Sequence, residues 1–269
     1  MTPAPADKDF PWWLVVVVAT GLWLFCEVLS DDIYRDVLGK LSRGIVITAL
    51  VAVVAYAAAC AMGLGLALMG LSRRLLLRQA ARLYIEVMRG VPIIVLLLYV
   101  AFVLAPALVA GWNRIAEALG LSPLRPRDFP LLWRAVIALT LAYSAFLAEI
   151  FRAGIQSVDH GQIEAAKALG LSAAQRFRLI VLPQAFRTIL PALGNDFVAM
   201  VKDSSLVSVL GVTDVTQLGK VTAAGNFRYF ETYNVVALIY LTMTIGLSLM
   251  LRRLERHLRA RGTGGAGVR

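Results

Sequence analysis

Apolar runs about as long as a bilayer is thick recur along this chain, and they leave few folds open to it. A transmembrane helix needs roughly 20 predominantly apolar residues. Such runs occupy residues 12–29, 44–70, 93–112, 133–151 and 233–251. Backbone polar groups in hydrocarbon must be satisfied within the protein, which leaves helices or closed barrels. Barrel strands alternate apolar and polar residues, and these runs do not. The chain therefore reads as an all-α membrane protein, in line with 59% hydrophobic and 16% charged residues. A further run, residues 190–212, is apolar but broken by Asn195, Asp196, Lys202, Asp203, Ser204 and Ser205. A charge at a helix centre costs about 2.5–3.5 kcal/mol on insertion scales, so hydropathy alone does not decide this segment. Counted as a span, it brings the expected total to about six transmembrane helices.

The formal net charge of +10 would suggest nucleic acid on a soluble protein, but membrane topology explains most of it. The N-terminus, residues 71–92, residues 152–189 and the tail fall on one side of the membrane. They carry 17 of the 27 Lys and Arg residues, against 9 on the other side, with Lys202 inside a span. The positive-inside rule places the richer side, with both termini, in the cytoplasm. Trp12 and Trp13 suit an interfacial belt, and Gly63 and Gly65 suit close helix packing. Cys26 and Cys60 sit in apolar runs and read as small packing residues. His160 and His257 are isolated in basic segments, and no zinc-ligand spacing occurs, so no metal site is expected. Asp7, Lys8 and Asp9 lead into the first run without a signal-peptide cleavage pattern. Residues 1–10 and the Gly-rich end of the tail read as loose.

Between the fourth and fifth runs lies a polar, basic island, residues 157–183. Asp159 followed by Gln162, and Ser172 followed by Gln175, look like two capping boxes. Gly170 suits a left-handed helix end, and Pro183 is expected to close the second helix. The pattern is a helix–Gly–helix hairpin, open to four readings. It could lie on the membrane surface, since Phe177, Ile180 and Val181 form an apolar stripe beside Arg176 and Arg178. A DNA-binding helix-turn-helix fits poorly in a short connection between spans. An enzyme site on Glu164 lacks a second acid, a nucleophile–base pair or a metal cluster, so no catalytic residue is expected. The fourth reading is a docking element for a cytoplasmic partner.

The spacing Glu164-Ala165-Ala166, Gly170, then Ile180-Val181-Leu182-Pro183 resembles the EAA loop of bacterial ABC importer permeases. Tyr84-Ile85-Glu86, Arg89-Gly90-Val91-Pro92, residues 148–155 (AEIFRAGI), Leu182-Pro183-Gln184-Ala185 and Lys202-Asp203-Ser204-Ser205-Leu206 resemble the polar amino acid permease family in particular. Val91 and Phe146 stand where that family often has Thr and Tyr. The likeness covers about residues 44–251, a MetI-like five-helix core. Residues 1–43 would add a tail, an extra span and an extracytoplasmic loop, and residues 252–269 a basic cytoplasmic tail.

The resemblance implies a subunit of the bacterial inner membrane that works with a second permease, identical or paralogous. Two ABC ATPase subunits would bind below, and an extracytoplasmic binding protein would deliver an amino acid from above. ATP and Mg would bind the ATPases, with no cofactor in this chain. Consistently, no G-x-x-x-x-G-K-[ST] phosphate loop occurs; Gly39-Lys40-Leu41 and Gly219-Lys220-Val221 do not form one. By the same resemblance Gly161, Glu164, Ala165, Ala166, Gly170, Leu182 and Pro183 would form the coupling site. For the substrate, charged residues within spans are functional candidates: Asn195, Asp196, Lys202, Asp203, Ser204 and Ser205. Asp196 suits a substrate amino group. Lys202 and Asp203 could instead pair and cap a broken helix, and Glu149 and Arg152 suit an i,i+3 pair. Two other readings are an ion-coupled secondary transporter, which should show two matching broken halves, and a membrane anchor that recruits a cytoplasmic partner.

Overall fold

The computed structural model describes residues 12–263, and among these every regular element is helical. Helix α1 (Trp12–Ser30) leads into α2 (Asp32–Gly70). Then come α3 (Leu75–Gly90), α4 (Ile93–Tyr99) and α5 (Ala105–Ala118), with a π-helical turn, Val100–Leu104, joining the last two. Helix α6 (Leu131–Gln156) follows, then the short helices α7 (His160–Ala168) and α8 (Ala173–Arg176). Helix α9 (Leu182–Asp203) passes into a 3-10 segment, Ser204–Leu210. Helices α10 (Val215–Asn226) and α11 (Tyr229–Thr263) complete the fold. Residues 1–11 and the Gly-rich end after Thr263, both expected to be loose, lie outside the described residues, as does the side chain of Trp13.

Among the described residues, four helical stretches are long and apolar enough to cross a membrane: Asp32–Gly70, Ile93–Ala118, Leu131–Gln156 and Tyr229–His257. Of the two other expected spans, α1 supplies a shorter apolar stretch, Val18–Val28. The other, α9, carries the polar residues that already made its hydropathy ambiguous.

Helix α6 is the hub. Its Ala135, Ala138, Leu139 and Ala142 are buried against Ala52, Ala55 and Ala59 of α2. Small residues let two helix backbones approach closely. Gly63 shows how closely: a Cβ there would lie 2.9 Å from the Ser144 carbonyl. Gly65 plays no such part, because a Cβ there would meet nothing within 4 Å.

Two segments differ from the sequence expectation. Residues 30–43, expected as a loop, are mostly the first turns of α2. Asp31 caps the helix, accepting from the Ile33 N–H at 2.7 Å. The charges then pair along the helix, Arg35 with Asp32 and Lys40 with Asp36. Tyr34, Val37 and Leu41 are buried on the other face against Val215 and Val235. At about 1.5 Å per residue, the 39 residues of α2 run well beyond a hydrocarbon core of about 30 Å.

Residues 71–92, expected as a cytoplasmic connection, contain α3. Ala81 and Ile85 are buried with Leu66, Ala145 and Ala148. The Tyr84 hydroxyl donates to the Leu141 carbonyl at 2.9 Å and lies 2.9 Å from the Ser144 hydroxyl. Helix α3 therefore lies beside the middle of α6. Val91 breaks the helix in extended backbone, because the following Pro92 disfavours the α region. At the far end of α6, Arg134 reaches the Ala101 carbonyl. The stretch opposite α6 thus begins near Ala81, well before the run at 93–112. Hydropathy missed it because the arginines of α3 mask a narrow apolar stripe.

Candidate functional site

The island at 157–183 folds as a hairpin whose turn follows from its sequence. The Asp159 carboxylate caps α7, accepting from the N–H groups of Gly161 at 2.6 Å and Gln162 at 3.3 Å. After Ala168 the chain turns at Gly170, whose φ is +77°. There Leu171 N–H reaches the Ala166 carbonyl and Gly170 N–H that of Lys167. This is the Schellman pairing that suits Gly in a left-handed position. Ser172 and Gln175 then form a reciprocal capping box, with bonds of 3.3 and 2.8 Å.

One half of the first expected capping box is absent. Gln162 does not return to the Asp159 backbone; its Oε1 accepts from Gln184 Nε2 at 2.6 Å. That bond ties the first arm of the hairpin to α9. Beneath it Val158, Val181, Ala185 and Ile189 are buried together, with Ile163 packed alongside. The expected coupling residues divide by exposure. Gly161, Glu164, Ala165, Gly170, Leu182 and Pro183 are exposed, while Ala166 is buried. Leu169 stands 81% exposed at the tip. The stripe proposed for a membrane surface divides too, with Val181 in the hairpin core and Phe177 outside it.

Pro183 does not close the second helix. Helix α8 continues through a π-helical turn, Phe177–Val181, directly into α9, where Pro183 lies in the first turn. Proline lacks an N–H and is tolerated at a helix start, and a π turn shifts the hydrogen-bond register by one residue. The chain is therefore helical without a break from Ala173 to Leu210.

The substrate candidates lie at the far end of this helix. Asp203 accepts a hydrogen bond from the Tyr143 hydroxyl at 2.8 Å. The Tyr56 hydroxyl donates to the Leu193 carbonyl at 2.6 Å, and its ring lies 4.9 Å from that of Phe197. Asp196 is half-buried and close enough to Tyr56, Cys60 and Tyr143 to act on them electrostatically. Asn195 and Lys202 are exposed; Ser204 is buried and donates to the Val201 carbonyl at 2.8 Å. Lys202 and Asp203 form no ion pair within 4 Å, because Asp203 points at Tyr143. The structural pairing expected of them is thus replaced by a bond to α6. Glu149 and Arg152 do pair, at 2.5 Å.

Sequence reading missed Tyr56 and Tyr143, whose only signal was a lone hydroxyl in an apolar run. It also missed two buried polar anchors at the opposite end of α6 and α2. Arg134 is 7% exposed and donates to the carbonyls of Ala101 at 2.7 Å, Phe129 at 3.0 Å and Pro126. Asp214 is fully buried. It caps α10 through the Gln217 N–H at 2.8 Å and accepts from the Tyr240 hydroxyl at 3.1 Å. Burial pushes its carboxyl above the usual range, although the N–H groups of Gln217 and Thr216 pull the other way. A Cβ on Gly44 would lie 2.6 Å from the Val215 nitrogen, so only glycine lets α10 sit this close to α2.

These helices and their hairpin have close counterparts. Residues 59–261 match the family described as binding-protein-dependent transport system inner membrane component. The chain belongs to this family. It is 38% identical over 216 residues to a probable amino-acid permease protein, YxeN, of Bacillus subtilis (strain 168), covering 80% of this chain and 90% of that one. It is 38% identical over 179 residues to the glutamine transport system permease protein GlnP of Escherichia coli (strain K12), covering 66% of this chain and 74% of that one. A crystal structure of an amino acid ABC transporter superposes with a TM-score of 0.68 at 37% identity, over 81% of this chain and 94% of that chain. An inward-facing MetNI methionine ABC transporter shares the fold at 21% identity, with a TM-score of 0.63 over 81% and 95% of the two chains. The protein is accordingly a multi-pass membrane permease subunit of the MetI-like fold.

Proposed function

We propose that this chain is one membrane subunit of an ATP-driven importer of polar amino acids, in which the 157–183 hairpin receives motion from a separate ATPase. The observation that carries the reading is the unbroken helix from Ala173 to Leu210. One arm of an exposed hairpin and the polar segment Asn195–Ser205 are parts of one continuous helical stretch. A shift of the hairpin is therefore transmitted to Asp196 and Asp203 without an intervening loop. Rigid-body movement of packed helices is a common switching device, and alternating access turns one bundle about a fixed midplane site.

In this reading ATP and Mg bind the partner ATPases, and this chain holds no cofactor and no catalytic residue. Glu164 and Leu169 at the exposed tip meet the ATPase, one by charge and one by burial. Ala165 allows close approach. A second permease, identical or paralogous, completes the passage, and an extracytoplasmic binding protein presents the amino acid. Asp196 meets the substrate's ammonium group, as its half-buried position among Tyr56, Cys60 and Tyr143 favours. Both termini lie in the cytoplasm, on the side richer in Lys and Arg.

Reconstitution with the ATPase and binding protein tests this. Glu164→Lys is expected to lower ATP-driven uptake by about tenfold, the equivalent of 1.4 kcal/mol of coupling, with folding unchanged. Asp196→Ala is expected to alter selectivity among amino acids while the complex still assembles. Full uptake by Glu164→Lys, or loss of assembly in Asp196→Ala, would defeat the assigned roles.

A further inference from the structure

A second polar site lies toward the last turns of α6. Between the end of α2, the outer face of α3 and the last turns of α6 is a cavity of about 490 Å³. Five charged side chains line it: Arg82, Glu86 and Arg89 from α3, Glu149 and Arg152 from α6. Arg82, Glu86 and Arg89 share one helix face by their spacing, and all three are exposed. None of them forms an ion pair within 4 Å with another described residue, although Arg89 is near enough to Glu149 to act on it electrostatically; Glu149 and Arg152 are already joined. Two unpaired guanidinium groups and one unpaired carboxylate thus share a cavity whose other walls include Leu66 and Ile85.

Charged side chains at membrane depth face a water-filled passage or a bundle interior. Here one of them, Arg89, is joined to the substrate segment through two aromatic rings. Asp203 meets Tyr143 at 2.8 Å. The Tyr143 and Phe146 rings are 6.1 Å apart, and the Arg89 guanidinium stands 5.9 Å from the centre of the Phe146 ring. Glu149 and Arg152 lie about 9–14 Å further along α6 than Tyr143, at 1.5 Å per residue, toward its end at Gln156. The cavity therefore lies nearer the hairpin end of α6 than the Tyr143–Asp203 bond does.

Resting on the importer reading above, we propose that this cavity is an exit station that binds a zwitterionic amino acid on its way to the cytoplasm. The α-carboxylate lies on Arg89 and Arg82, whose forked donors match a carboxylate bidentately. The ammonium group lies on Glu86, with Glu149 beyond it. A simple anion leaves Glu86 unpaired, and a simple cation leaves the two arginines unpaired. A molecule carrying both charges on one carbon satisfies all three.

Gly70 allows a direct test, because it lines the cavity and a Cβ there meets nothing within 4 Å. The variant Gly70→Cys, with Cys26→Ser and Cys60→Ser, is assembled with its ATPase in nanodiscs and labelled with a cationic methanethiosulfonate. Millimolar L-glutamine and L-arginine are expected to slow labelling about tenfold, a factor worth 1.4 kcal/mol. Their amides and N-acetyl derivatives, each lacking one charge, are expected to give no protection. Adding Arg89→Gln, or Glu86→Gln should the first variant fold poorly, is expected to abolish protection. Equal labelling with and without amino acid overturns the proposal. So does a labelling rate that follows phosphatidylglycerol content instead, which would mark a lipid headgroup site. ATP-driven uptake by the same preparation separates the two claims. Uptake without protection defeats the exit station alone, and protection without uptake defeats the importer reading alone.

Discussion

The hairpin at 157–183 and the polar anchors around Arg134 and Asp214 are built on opposite principles. The hairpin is assembled from neighbours: Asp159 caps the next turn, Ser172 and Gln175 cap each other, and Gly170 supplies the turn. Its polar groups are mostly solvated; its second arm runs on into α9, and Gln162–Gln184 and a small apolar cluster tie its first arm there. The anchors combine local bonds with bonds to residues distant in sequence, around side chains that are buried. Arg134 joins α6 to the π turn at Ala101, and Asp214 joins the start of α10 to Tyr240 of α11. A part that must meet a partner and move with it can be held by local bonds. A frame that resists that motion needs buried bonds between helices, where each unmet polar group is costly.

This contrast predicts a graded series. Arg134→Met should have the largest effect. It removes three hydrogen bonds and leaves the Ala101 carbonyl buried without its donor, which alone costs about 1–3 kcal/mol. We expect a loss of thermal stability in detergent large enough to deplete the folded protein. If Arg134→Met melts with the parent, the buried frame is not what holds the fold.

Asp214 comes next, with a sharper signature. Asp214→Ala should cost about 2–3 kcal/mol, from the lost cap and the lost bond to the Tyr240 hydroxyl, which keeps its contact with Thr216. Asp214→Asn should cost far less, because burial already disfavours the charged carboxylate, the amide oxygen accepts from the Gln217 N–H, and the amide N–H can donate to the Tyr240 hydroxyl. Equal melting temperatures for the two variants would show that charge, not hydrogen bonding, matters there.

The hairpin sits at the small end of the series. Gly170→Ala imposes a side chain on a left-handed backbone, a strain of roughly 1–2 kcal/mol, confined to an exposed turn. Global melting should barely move, while ATPase association weakens. A global loss of stability as large as that of Arg134→Met would erase the distinction between the two regions.

The same difference explains how much of the molecule was legible. The Asp159 cap that opens the hairpin, the Ser172 box and the turn at Gly170 could be read directly, because each depends on residues within a few positions. The Glu149–Arg152 pair was legible for the same reason. The helices at 32–43 and 75–90 were not, because their charges conceal apolar stripes that matter only once α6, α10 and α11 are in place. Pro183 misled for a related reason: the rule that proline ends a helix assumes an α-helical register, and a π turn supplies another one.

By itself, the sequence determined that this chain is helical, that it lies in a membrane, and that its polar island is a capped hairpin with EAA-loop spacing. Hydropathy, capping and spacing are local properties, and they survive whatever the helices do next. Only the tertiary structure decided that the hairpin and the substrate segment are one continuous helix, that Asp203 turns to Tyr143 rather than Lys202, and that Arg89 comes to stand beside Phe146. Those outcomes depend on which helices meet. Close packing of small residues such as Gly63 and Gly44 against distant backbone settles that, and no window along the sequence contains both partners.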